Sequence, residues 1–73
     1  MLKNNYGKTE KEIRKASGLS LSAFQDLGIS PATLSEFENG KRKLNFKTLT
    51  SCLSILKVPF DSFIDLAEHH LIF

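Results

Sequence analysis

Leu-Ser-Leu-Ser-Ala-Phe-Gln-Asp-Leu-Gly-Ile-Ser-Pro-Ala-Thr-Leu-Ser-Glu-Phe-Glu-Asn-Gly occupies residues 19–40, and the way this stretch folds decides the rest of the chain. Ser20 suits an N-cap, and Leu21, Phe24 and Leu27 follow it at i, i+3, i+6, so the spacing predicts a short helix over 21–27 with one apolar stripe. Gly28 tolerates the positive φ that stops such a helix, and Ile29 is placed to plug the gap behind it. Ser30 followed by Pro31 is a second start signal, because Ser caps free amides and Pro fits the first helical position. The second helix is predicted over 31–38, anchored by Leu34 and Phe37 and stopped by Asn39-Gly40.

Two short helices joined by a tight Gly-containing turn form a helix-turn-helix, a unit that can place its second helix in a DNA groove. The surrounding 73 residues make one small domain, 41% hydrophobic and 25% charged, the composition of an ordinary globular chain. A core of this size supplies only about 3–5 kcal/mol, so the fold should be compact and helical. The net charge of +2 is unevenly spread: residues 1–47 hold nine Lys/Arg against five Asp/Glu, and residues 48–73 one against three. One pole can therefore face a polyanion. The single Cys52 excludes an internal disulfide framework and suits a reducing interior. With no apolar run long enough for a membrane span and no signal-like start, the chain reads as cytoplasmic.

Outward from the central pair, good helix formers run over about 3–17, with Tyr6, Ile13 and Ala16 on one side and Gly18 as the stop. Glu10 interrupts that stripe, which puts it at the edge of the buried face or buries its stem while its carboxylate reaches water. Beyond Gly40 come Lys41-Arg42-Lys43, then Leu44 as an apolar plug and Asn45 as an N-cap. Phe46, Leu49, Leu53 and Leu56 predict a buried helix over 46–57. Pro59 starts a last helix over 60–70, with Phe60, Phe63, Ile64 and Ala67 on its inner face and Asp61 favouring its N-terminal dipole. The expected fold class is all-α, five helices and no strand.

Gly7 with Ile13-Arg14, Gly18-Leu19-Ser20, Gly28-Ile29-Ser30, Thr33-Leu34-Ser35 and Phe37-Glu38-Asn39-Gly40-Lys41, continued by Leu49, Leu53, Leu56, Val58, Phe60, Asp61 and Phe63, resembles the lambda-repressor-like (XRE) helix-turn-helix family. The resemblance covers roughly residues 6–66. Gly7-Lys8-Thr9 and Leu19-Ser20-Leu21 look most like the N-terminal domains of Rgg/MutR-type regulators, in which a peptide-sensing helical domain follows. The resemblance implies a compact five-helix domain, and a structural ion pair between Arg14 and Glu38 that ties the first helix to the end of the readout helix. It also puts Pro31, Ala32 and Glu36 nearest the base edges. Glu10 stands where the family has Ile, Leu or Phe, and Leu21 where many members have a phosphate-touching Gln.

The expected base contacts are Pro31, Ala32, Thr33, Ser35 and Glu36, a set without Arg, Lys, Asn or Gln. Pro31, Ala32 and the Thr33 methyl suit thymine methyls, Thr33 and Ser35 hydrogen-bond either way, and Glu36 can accept from cytosine N4 or pair with Arg42 or Lys43. Affinity should come mainly from the phosphate backbone, through Lys41, Arg42 and Lys43, with Ser20, Ser22, Ser30 and Asn39 adding hydrogen bonds. Nothing in the sequence carries an enzyme, metal or cofactor signature. His69 and His70 are adjacent rather than at i, i+4, and Cys52 lies on an apolar face. The leading reading is a prokaryotic or phage transcriptional regulator that binds duplex DNA. It would pair as a homodimer, through Ile64, Leu71, Ile72 and Phe73, or continue into a C-terminal regulatory domain. The alternative is a protein-interaction module on the same fold, such as an antitoxin half or an adaptor.

Overall fold

The computed structural model describes residues 5–69. Helix α1 spans Tyr6–Ala16, a 3₁₀ helix Leu21–Leu27, α2 Pro31–Glu38, α3 Phe46–Leu56 and α4 Phe60–His69, and no strand forms among the described residues. The first helix begins at Tyr6, with Asn5 outside it, rather than near residue 3. Residues 70–73, and with them the expected pairing residues Leu71, Ile72 and Phe73, lie outside the described part.

Three of the four α-helices end in the same way. After α1 the Leu19 amide donates to the Arg14 carbonyl at 3.1 Å and the Gly18 amide to Lys15 at 3.0 Å. After α2 the Lys41 amide reaches Glu36 at 2.8 Å and the Gly40 amide Phe37 at 3.1 Å. After α3 the Val58 amide reaches Leu53 at 3.0 Å and the Lys57 amide Ser54 at 3.2 Å. This is the paired-bond Schellman closure, which needs a left-handed residue at its turn. Gly18 and Gly40 supply it with φ of +75° and +77°. At the end of α3 the seat is taken by Lys57, with φ of +60°, so the helix expected to run to residue 57 stops at Leu56.

The element over 21–27 is a 3₁₀ helix, a form that its apolar spacing accommodates. Residues at i, i+3 and i+6 eclipse when the helix has three residues per turn. Phe24, the middle one, is fully buried; Leu21 is half-buried and Leu27 is exposed. Ser20 has the extended backbone of an N-cap but does not cap: its hydroxyl pairs with that of Ser22 at 2.9 Å. The other two caps form, Ser30 Oγ accepting from the Thr33 amide at 3.1 Å and Asn45 Oδ1 from the Thr48 amide at 2.7 Å.

The core gathers Phe24, Ile29, Leu34, Phe37, Leu49, Cys52, Leu53, Leu56 and Phe63, with Ala67 buried on α4. Two aromatics expected inside are not there. Phe46 is 65% exposed and Phe60 37%, and the two rings meet edge to face at 4.9 Å. Each opens its helix, on the flank of the buried stripe and one turn short of the core. Ile64 packs against the core from the side. Glu10 also departs from expectation: it is fully buried, oxygens included, so its carboxylate does not reach water.

Gly7 shows how closely α1 approaches α2. A Cβ there would overlap the Phe37 carbonyl oxygen and stand 2.9 Å from its carbon. Glycine is thus required in the first turn of α1, where the two helices touch.

Candidate nucleic-acid interface

The end of α2 is held from behind by α1. Arg14 Nε donates to Glu38 Oε2 at 2.8 Å and Nη2 to Oε1 at 2.9 Å, a two-pronged grip, while Nη1 donates to the Leu19 carbonyl at 2.9 Å. Both side chains are more than 90% buried. One guanidinium therefore ties together α1, the loop before the 3₁₀ helix and the last residue of α2.

Glu10 is the third member of this group. Its spacing of i, i+4 from Arg14 on α1 is the signal that puts the two on one face. No N–H or O–H of the described residues donates to either of its oxygens. Burial, and then the neighbouring Glu38 carboxylate, push its pKa up to about 9, against a smaller opposing pull from Arg14. Burial also works to raise Glu38, but the Arg14 hydrogen bonds and the neighbouring Glu10 carboxyl outweigh it and hold that carboxyl below its usual range. Near neutrality the trio is a neutral acid, a carboxylate and a guanidinium. Burial raises the Cys52 thiol to about 11, which leaves it an inert core group.

In front of this scaffold α2 turns one face outward. Leu34, Phe37 and Glu38 are buried, Pro31, Thr33 and Ser35 half-buried, and Ala32 and Glu36 exposed, one turn apart. Thr33 Oγ1 accepts from Ser30 Oγ at 3.0 Å, so the hydroxyl is tied to the helix cap and keeps its own proton to donate. Glu36 Oε1 accepts from Arg42 Nε at 2.7 Å, which joins an expected base contact to an expected phosphate contact. Ser20, Ser22, Ser30, Asn39, Lys41 and Lys43 are all exposed, Ser20 and Ser22 as the mutually bonded pair. Among the described residues no group of His, Cys, Asp and Glu could hold a metal ion, and no helix is long and apolar enough to cross a membrane.

Residues 11–63 match the profile of a family described as Helix-turn-helix. The chain is 35% identical over 66 residues to an uncharacterized HTH-type transcriptional regulator, RghRB, of Bacillus subtilis (strain 168). That match covers 88% of this chain and 48% of the relative, so the chain spans about half the length of the protein it resembles. No solved structure matches it.

Proposed function

This chain belongs to the XRE-type helix-turn-helix family, and from that premise we propose that it is the sequence-specific, duplex-DNA-binding domain of a prokaryotic or phage transcriptional regulator. In this reading α2 enters the major groove. Pro31, Ala32, Thr33 and Ser35 meet base edges or thymine methyls, and Lys41 and Lys43 neutralise phosphates beside them, with hydrogen bonds from Ser20, Ser22, Ser30 and Asn39. The observation that carries the reading is the outward face of α2, rigidly backed by Arg14 and Glu38 and followed at once by a basic loop. The domain acts as a homodimer, so its site is a pseudo-palindrome with half-sites about 34–36 Å apart. The exposed Leu66 on α4, with an exposure of 47%, supports pairing along that helix.

Titration of labelled duplex fragments at two salt concentrations tests this reading. One fragment should be preferred, and affinity should fall steeply with salt. Replacing both Lys41 and Lys43 by Ala should weaken all sequences alike and lower the salt slope by about 2, whereas Thr33→Ala should alter preference. A folded chain that binds no duplex at low salt would overturn the proposal.

A further inference from the structure

We propose that Arg42 is the principal base-reading side chain of this domain, held by Glu36 so that its guanidinium presents a two-pronged donor along the outward face of α2. The inference rests on the DNA-reading assignment above and supplies what that assignment lacks, a bidentate reader.

The placement follows from exposure. Of the eight residues of α2, Ala32 and Glu36 alone are exposed, at i, i+4, and they define the line along the helix that stands furthest from the core. Arg42 comes from the loop but is brought onto that line by its 2.7 Å bond to Glu36. A second tie fixes the approach, since the Lys41 amide donates to the Glu36 carbonyl at 2.8 Å. Side chain and loop backbone are both anchored to one residue of the readout helix.

The bond uses Nε and leaves Nη1 and Nη2 without partners among the described residues. Those two nitrogens form the terminal edge of the guanidinium, whose parallel N–H groups match O6 and N7 of guanine. The charge balance favours the same assignment. A bare Glu36 carboxylate on a surface that meets phosphates is repelled, and Arg42 cancels it. Having spent its charge on Glu36, Arg42 gains less from a phosphate than Lys41 or Lys43, which have no ion-pair partner among the described residues. What Arg42 keeps is its fork. Glu36 is then a positioning residue rather than an acceptor for cytosine.

The test selects preferred sites from a library of randomised DNA duplexes with the full chain and with three variants, Arg42→Lys, Arg42→Ala and Glu36→Ala, each checked by circular dichroism for an unchanged fold. The wild-type chain should select a guanine in each half-site. Arg42→Ala should lose that guanine while keeping the other selected positions, and Arg42→Lys, which retains the charge but not the fork, should weaken the preference for it. Arg42→Ala should lower affinity for the selected duplex roughly five- to hundredfold, the range of one bidentate base contact, and leave a scrambled duplex little changed. Glu36→Ala should weaken the guanine preference yet bind the scrambled duplex more tightly, since a negative charge has gone. A guanine that persists in the Arg42→Ala selection, or an equal loss on selected and scrambled duplexes, overturns the inference and leaves DNA reading intact. A wild-type chain that selects no sequence overturns the DNA-reading assignment and this inference with it.

Discussion

The buried carboxyl of Glu10 faces the Glu38 carboxylate, and near neutrality only one of the two carries a charge. Arg14 satisfies Glu38 with two hydrogen bonds, and no donor of the described residues satisfies Glu10. Helix α2 is thus fastened through a site that needs a proton to be comfortable.

The domain should lose stability as pH rises from about 5 to 9. The folded chain keeps a proton on Glu10 up to about pH 9, while the unfolded chain releases it near 4.5. Over that window the native state binds more protons, so the free energy of unfolding falls with pH. Glu38 acts in the opposite direction below that window: its folded pKa is depressed, so its contribution is lost as the solution is acidified past it. The optimum should therefore lie near pH 5. Glu10→Met, of similar volume, should raise stability by at least ~2 kcal/mol at pH 8 and by much less at pH 5. Thermal melts across that range measure the slope, and an unchanged slope in the variant would show that Glu10 is not its source.

Arg14→Ala should cost about 3–5 kcal/mol, because it strands the buried Glu38 charge beside a second carboxyl. That is comparable to everything a core of this size supplies, so the variant should be largely unfolded at 25 °C. Urea denaturation of Arg14→Lys should give an intermediate loss. Lys keeps the charge but cannot grip both Glu38 oxygens and the Leu19 carbonyl at once.

Gly7→Ala separates helix propensity from packing. In an exposed helix the change stabilises by about 1 kcal/mol. Here the added Cβ overlaps the Phe37 carbonyl, which is backbone and has no flexible end to yield. The variant should be destabilised by about 1–3 kcal/mol in denaturant titration, the opposite sign.

Lys57→Gly should stabilise the chain. Lys57 holds the left-handed turn that closes α3, a conformation costing a residue with a Cβ about 1–2 kcal/mol. Glycine returns part of that gain as unfolded-state entropy, leaving a net of about 0.5–1 kcal/mol. A rise in melting temperature of a few degrees checks it.

Much of the architecture was legible because it is written in punctuation. Gly18, Gly28 and Gly40, with Ser30-Pro31 and Asn45, mark helix ends at positions the structure shares. Apolar periodicity was a weaker guide. It counts a face but does not say how far along the helix the core extends, which is why Phe46 and Phe60 were expected inside. Nor does a spacing of i, i+3, i+6 distinguish the α from the 3₁₀ helix over three anchors. The burial of Glu10 is not legible, because a lone acid in an apolar stripe usually lies at its edge, and the carboxyl it neighbours, Glu38, is 28 positions away in the chain. At the interface the exposed residue types could be read directly. The Glu36–Arg42 bond could not be chosen from sequence, since Lys43 stood equally near.

The double attachment of the basic loop to Glu36 bears on how binding energy is distributed. A flexible cationic loop loses conformational freedom when it meets its target, and that loss is subtracted from whatever its contacts gain. Here the Lys41 amide and the Arg42 side chain are already bonded to α2 in the free chain. This part of the ordering is made during folding and does not oppose association, so affinity gained this way resides in the shape of the unbound domain.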